Sequence, residues 1–265
     1  MRKITLREQQ LIALDILKYF NHICAKNNIK YSLGGGTLIG AVRHQGFIPW
    51  DDDIDVYMCR DEYEKFVKAW QLQKHTKYEL SLAESIDGIL PGVMTKIVDK
   101  ETHLVETNRR VTGIFIDIFI WDGVPNEPLL IYKAMRKHRL VELRFSSCRK
   151  RWIRAKENSL MKAIFSKLSH YFFNKMMADL TLFQKKYPIV RSDYIGLLSD
   201  YGNWQKSYMP KTYFSDVVYF NFEGERLPIM NGYHEYLTMY YGNYMTLPPL
   251  EERKPHHTVA VYTLS

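Results

Sequence analysis

Apolar residues recur at helical spacing near the start of the chain. Leu6, Leu11, Leu14, Leu17 and Phe20, joined by Ile12, Ile16 and Ile23, put one hydrophobic face on a helix that runs to about Lys26. Thr5 and Glu8 stand where a capping box would begin it, hydroxyl and carboxylate each satisfying a free amide, and Asn27-Asn28 ends it. A short strand at Tyr31 to Leu33 runs into Gly34-Gly35-Gly36, and Thr37 is placed to cap a brief helix through His44. Gly46 and Pro49 mark a turn into Trp50 and an acidic run. There Ile54, Val56 and Met58 alternate with Asp53, Asp55 and Tyr57, the period of a strand with its carboxylates on one face. Asp61 is placed to cap a helix whose apolar side is Tyr63, Phe66, Val67 and Trp70.

Val93 to Val98 and Thr102 to Glu106 read as two strands joined at Asp99-Lys100. Ile114 to Ile120 is an apolar run broken only by Asp117, which predicts a central strand. From Leu129 to about Tyr187 the pattern is mostly helical. Val217 to Phe222 and Arg226 to Ile229 flank Glu223-Gly224 as a hairpin, and Tyr233 to Tyr241 is a short aromatic helix closed by Gly242. The tail from Pro248 is polar. Helices and strands in this order predict an α/β (α+β) fold with antiparallel hairpins. We expect a catalytic core over 1–128, a helical basic insertion over 129–190, and a segment over 191–265 that completes the catalytic domain.

Composition narrows the class. The 265 residues are 46% hydrophobic and 14% aromatic, which suits a packed core and not disorder. Cys24, Cys59 and Cys148 are too few and too scattered for a disulfide framework or a zinc site. Asp15, Lys18, Asn21 and His22 interrupt the first apolar stretch, so it does not read as a signal peptide, and no segment is apolar enough to span a bilayer. A cytoplasmic protein is expected. The net charge of +8 is uneven: between Leu129 and Lys186 there are 15 Lys and Arg against Glu142, Glu157 and Asp179. Such helices, with Trp152, Phe165, Tyr171, Phe172 and Phe173 at apolar positions, suit an anionic membrane surface, and a peripheral protein on the inner face of the plasma membrane is expected. A polyphosphate acceptor chain or a lipid-linked pyrophosphate is a further fit. Nucleic acid is not the partner expected, since no binding motif accompanies the charge.

The chemistry concentrates between Tyr31 and Tyr57. Asp51, Asp53 and Asp55 are alternate residues that an extended chain projects to one side, where they repel unless a cation neutralises them. Oxygen-only ligands favour a hard ion, Mg²⁺ or Mn²⁺, bound together with phosphate oxygens. Asp117 is a charge inside a buried run and needs a metal or a cationic partner. The plainer reading is a solvated acidic loop; Asp117 and the upstream glycines weigh against it. Gly34-Gly35-Gly36 has neither Walker lysine spacing nor the dinucleotide fingerprint. Three glycines before a helix still let backbone amides approach a phosphate.

These residues carry a resemblance. A glycine turn, short helix and DxD strand, with a third aspartate on a later strand, resembles the nucleotidyltransferase fold of the DNA polymerase β type. More narrowly, GGGTLIGAVRHQGFIPWDDDID is similar to the signature of the LicD family of phosphotransferases, which includes fukutin-like proteins. GIFIDIFIWDG around Asp117, EGERLPI at Glu223, YHEYLTMYYGNYMTLPP from Tyr233, and Arg253 with His256-His257 are similar to its later blocks. Ile120-Trp121 departs from the family, many members of which carry a proline there.

The resemblance implies transfer of phosphocholine, or a related phospho-alcohol, from CDP-choline or another CDP-alcohol to a sugar hydroxyl of a lipid-linked glycan acceptor (teichoic acid or lipopolysaccharide), releasing CMP. It implies Asp53 and Asp55 as metal ligands, Asp117 as the third carboxylate receiving the hydroxyl proton, and Asp51 as a ligand or a group behind the ligands. Asp52 is expected to point away. Arg43 and His44 fit donor phosphate or a helix C-cap. Lys96 fits a phosphate oxygen or an outward-facing edge position. Trp50 fits the core, or a face on which a base or choline stacks. Tyr233, Tyr236, Tyr240 and Tyr241 fit packing or a choline cage. His256 and His257 fit a substrate contact or a solvated tail. Rival readings are a nucleotidyltransferase releasing pyrophosphate, a glycosyltransferase using DxD, and a non-catalytic membrane adaptor.

Overall fold

The computed structural model describes residues 2–82, 85, 94–106, 111–157, 159–198, 200–255 and 258–263. The chain runs β1 (Arg2–Lys3), α1 (Leu6–Lys26), β2 (Ser32–Leu33), α2 (Gly35–His44), β3 (Asp55–Cys59), α3 (Arg60–Gln71), β4 (Tyr78–Ser81), β5 (Met94–Asp99), β6 (Thr102–Glu106), β7 (Val111–Thr112) and β8 (Phe115–Val124). It continues through α4 (Pro128–Arg154), α5 (Leu160–Lys186), β9 (Tyr194–Gly196), β10 (Tyr208–Pro210), β11 (Val217–Phe222), β12 (Glu225–Met230), α6 (Tyr233–Tyr241) and β13 (Thr258–Thr263). The fold is therefore the mixed α and β type expected.

One compact unit takes in Met1–Ser81, Met94–Ile120 and Thr212–Ser265. Its main sheet has the order β4, β5, β8, β3, β2, and a second sheet the order β1, β13, β6, β7. Helix α1 forms as its pattern predicts: Thr5 Oγ1 accepts from the Glu8 amide and the Glu8 carboxylate accepts from the Thr5 amide at 2.8 Å. Its buried face, Ile16, Leu17, Phe20 and Ile23, meets Tyr31 and Phe66, whose rings lie 4.7 and 5.0 Å from that of Phe20. Strand β8 is buried along almost its whole length, which is why it reads as a nearly unbroken apolar run.

Several elements differ from expectation. Strands β5 and β6 do follow one another through Asp99, but they part into two sheets: β5 pairs with β4 and β8, β6 with β7 and β13. The polar tail contains a strand, β13, which pairs with β1 and β6 across most of the chain. Helix α2 is capped by Gly34, without a side-chain bond, so Thr37 falls inside the first turn and is not its cap. Helix α3 likewise starts at Arg60, after Cys59, and Asp61 lies in its first turn. Val93, His256 and His257 lie outside the described residues.

The other unit takes in Trp121–Lys211. It is built on the helical pair α4 and α5, packed through Ile131, Met135, Val141 and Phe145 on one side and Met176 and Leu180 on the other. The last residues of β8 pair with β9, and β9 with β10. This unit runs past the boundary expected at residue 190 because β9 and β10 belong to its sheet. Leu140, Leu143, Ile153, Leu160, Met161 and Leu182 are exposed on its helices. No helix among the described residues is long and apolar enough to cross a membrane.

Candidate functional site

Buried polar side chains of α1 shape the acidic segment. Gln9 Nε2 donates to the Asp52 carbonyl at 2.6 Å and Gln10 Nε2 to the Asp51 carbonyl at 2.9 Å, while the Asp51 amide donates to the Ile48 carbonyl. Both glutamines are buried and sit within the apolar pattern of α1, so nothing in the sequence marks them as site residues. The Asp55 amide donates to Thr37 Oγ1 at 3.0 Å, the role Thr37 has in place of capping.

The aspartates meet differently from a row along a strand. Strand β3 begins only at Asp55, and Asp51 and Asp53 lie in the irregular stretch before it. Asp51, Asp52 and Asp53 each offer a carboxylate oxygen, all within 4.8 Å of one another. Asp52 does not simply point away: its Oδ2 accepts from the Thr258 amide at 2.7 Å, bracing β13. Burial first, then the charges of Asp53 and Asp52 and a hydrogen bond with Asp53, push the Asp51 carboxyl up to about 8. Burial also lifts Asp55 well above the carboxylate range, reinforced by Asp53, Asp117 and Asp51 and opposed by Lys96. Asp51, Asp53, Asp55 and Asp117 thus share one electrostatic neighbourhood, with Asp55 at its centre.

The glycines are explained by these carboxylates. Gly35 has φ of +48°, and a Cβ there would overlap Asp55 Oδ2; a Cβ on Gly36 would come within 2.6 Å of Asp51 Oδ2. A Cβ on Gly34 would run into the Tyr57 ring. The turn therefore lets two carboxylates lie against the N-terminus of α2, where the helix dipole favours negative charge. The Gly35 amide donates to the Tyr57 hydroxyl at 3.0 Å, which in turn bonds the Tyr236 hydroxyl at 3.0 Å.

Asp117 has a cationic partner. Register pairs it with Lys96 across β5 and β8, and Lys96 Nζ lies 2.7 and 3.0 Å from its two carboxylate oxygens. Lys96 is 4% exposed and stands over the Phe115 ring, so it faces inward from a strand flanked on both sides, and the edge-strand alternative is corrected.

Trp50 is half-buried, not core, and the Arg253 guanidinium lies over its ring at 5.4 Å. The Arg43 guanidinium donates to the Tyr244 carbonyl at 2.6 Å, and burial followed by the Arg253 charge lowers its pKa. His44, edge-on to Trp50, is lowered by burial and then by Arg43. Arg43, His44, Trp50 and Arg253 therefore form one cationic and aromatic group immediately before Asp51. Glu223 stands at the hairpin turn and does more than turn the chain. It has φ of +53°, and its carboxylate takes both terminal nitrogens of Arg7, at 3.2 and 2.6 Å, and the Phe47 amide at 3.1 Å.

The chain matches the family model described as LicD/FKTN/FKRP, nucleotidyltransferase domain, over residues 28–128, the stretch that holds every one of these aspartates. It is 60% identical over 265 residues, the whole of both chains, to the lipopolysaccharide cholinephosphotransferase LicD of Haemophilus influenzae. This chain belongs to the LicD family. Shorter matches include an uncharacterised protein of Rickettsia typhi, 35% identical over 81 residues, covering 30% of this chain and 26% of that protein. One from Rickettsia prowazekii is 44% identical over 55 residues, 21% of each chain. In LicD terms, the signature block supplies the glycines and aspartates, and the block around Asp117 supplies the strand that pairs with Lys96. Clustered carboxylates, two of them against a helix N-terminus, with oxygen as the only donor atom, suit a hard divalent cation.

Proposed function

We propose that this chain transfers phosphocholine from CDP-choline to a hydroxyl of lipopolysaccharide, releasing CMP. The observation that carries this reading is the end-to-end identity of 60% with a lipopolysaccharide cholinephosphotransferase, and the clustered carboxylates support it. The same relative favours lipopolysaccharide over teichoic acid as the acceptor.

On this reading the core is a nucleotidyltransferase fold, and Asp51, Asp53 and Asp55 would hold Mg²⁺, or Mn²⁺. The raised carboxyls of Asp51 and Asp55 favour it, because like charges at this spacing gain from a cation. When bound, the ion neutralises charge on the donor diphosphate and its leaving oxygen. The protein's own groups do the rest. Gln9, Gln10 and Thr37 fix the backbone that presents the aspartates, since a reacting centre must be positioned closely. Arg43 and Arg253 bring positive charge to the donor diphosphate. Lys96 fixes the Asp117 carboxylate in place, and Asp117 accepts the proton of the acceptor hydroxyl. The acceptor oxygen forms its bond to phosphorus as the bond from phosphorus to the CMP oxygen breaks, and CMP leaves with those electrons.

Helices α4 and α5 would meet the anionic inner face of the cytoplasmic membrane, where a lipid-linked acceptor resides. Exposed leucines and 15 basic residues support that contact.

The test is a donor screen with the purified chain, Mg²⁺ and lipopolysaccharide, comparing CDP-choline, CDP-ethanolamine, CDP-ribitol and nucleoside triphosphates. CMP from CDP-choline, with one phosphocholine mass added to the acceptor, is the expected result. Pyrophosphate from a triphosphate, or CMP from another donor alone, would overturn it.

A further inference from the structure

A run of tyrosines leads away from the carboxylates. It begins at Tyr57, whose hydroxyl receives the Gly35 amide directly beneath Asp55. It passes through the hydroxyl bond to Tyr236, whose ring is 5.9 Å from that of Tyr57, then to Tyr240 at 5.9 Å and Tyr241 at 4.7 Å. Tyr57 and Tyr236 are buried and serve as the footing. Tyr241 is different: it is 41% exposed. Its hydroxyl is held far above its ordinary pKa, first by burial and then by Tyr57, Asp55, Tyr240 and Asp51, so the phenol stays neutral there.

Trp50, the other aromatic beside the aspartates, already carries the Arg253 guanidinium on its ring. That side of the site is cationic and suits phosphate. The tyrosine side offers exposed aromatic surface, which attracts a cation that cannot donate hydrogen bonds.

We propose that the Tyr240–Tyr241 ring pair receives the quaternary ammonium group of the donor. This rests on CDP-choline being the donor. A trimethylammonium group has methyl-covered charge, so it gains from aromatic surface where a primary ammonium instead seeks hydrogen-bond acceptors. The pair is therefore a selectivity element between the two alcohols, separate from the groups that hold the diphosphate.

Equilibrium binding to the full chain with Mg²⁺ tests this, using CDP-choline, CDP-ethanolamine and CDP on the wild type, Tyr241→Ala and Tyr241→Phe. Tyr241→Ala should weaken CDP-choline about 3- to 30-fold while CDP stays within about twofold, and Tyr241→Phe should keep wild-type preference. The ratio of CDP-choline to CDP affinity, taken on one sample, does not depend on the folded fraction. An unchanged ratio in Tyr241→Ala overturns the inference while leaving the donor intact. A wild type that binds CDP-choline no better than CDP overturns the inference even where CMP release continues. A wild type that releases no CMP from CDP-choline overturns the donor assignment, and the inference with it.

Discussion

Between Asp51 and Asp55 four carboxylates occur within five residues, and all are buried or half-buried. Between Leu129 and Lys186 there are 15 cations on two long helices and their connection, and most stand in solvent. The first group is held by backbone bonds from Gln9, Gln10 and Thr37, by the N-terminus of α2 and by the Lys96 charge nearby. The second is held by little beyond surface pairs such as Lys137 with Asp179 and Arg139 with Glu142. Buried charge is costly, so each carboxylate needs its own partner and its own place. Exposed charge is cheap and interchangeable, and only its sum matters. Substitutions should therefore be specific and severe in the acidic segment, and cumulative and mild on the helices.

The sharpest break of that contrast is Asp53→Asn. CMP release from CDP-choline should fall by about a thousandfold or more, the scale of losing a group that stabilises developing charge, with the circular dichroism spectrum unchanged. Retained turnover would remove Asp53 from the reaction.

Next is Lys96→Met, which leaves Asp117 in the sheet without its cation. Urea denaturation should show a loss of about 3–5 kcal/mol, the cost of breaking a buried pair from one side. A loss no larger than for an exposed lysine would mean that water reaches Asp117.

A pH series sharpens the comparison further. Asp51 goes from an ordinary 3.8 to about 8 in the folded chain, so the folded state favours its protonated form. Its contribution is fully present below the unfolded value and is lost as the pH rises through about 8. In chelator, the melting temperature should fall across that window, and Asp51→Asn should flatten the fall. Added Mg²⁺ should raise the melting temperature more at the alkaline end than at the acid end. An equal rise throughout would disconnect the ion from these carboxyls.

The smallest effect on the protein itself belongs to the helices. Reversing Lys150, Arg154 and Lys156 to glutamate should leave stability within about 0.5 kcal/mol, since all three are exposed. Binding to anionic vesicles, measured by co-sedimentation, should nonetheless fall by about a hundredfold or more, because each basic residue at such a surface contributes roughly 1 kcal/mol. Unchanged vesicle binding would remove the membrane role.

Elements whose partners lie nearby in the chain were legible from the sequence. Helix α1 closes with its own capping box, β11 and β12 turn on Glu223-Gly224, and α6 ends at Gly242. The clustering of the aspartates was legible for a similar reason: Asp51, Asp52, Asp53 and Asp55 are neighbours in the chain, and the glycines that make room for two of them lie close upstream. Strand β13 was not, because its partners Arg2–Lys3 and Thr102–Glu106 are far away in the chain and it follows a polar stretch. Lys96 was not, because a lysine in a strand reads the same on an edge or opposite an aspartate until the register is known.

Residue type and short spacing alone fixed the local elements, the crowding of carboxylates beside the glycine turn and, through the motifs, the family. Tertiary structure alone decided how the aspartates divide. Asp52 braces Thr258, Asp117 takes Lys96, and Asp51 and Asp55 rest where Gly36 and Gly35 leave space. A carboxylate acquires its role from the groups that distant segments bring to it, and only folding brings them there.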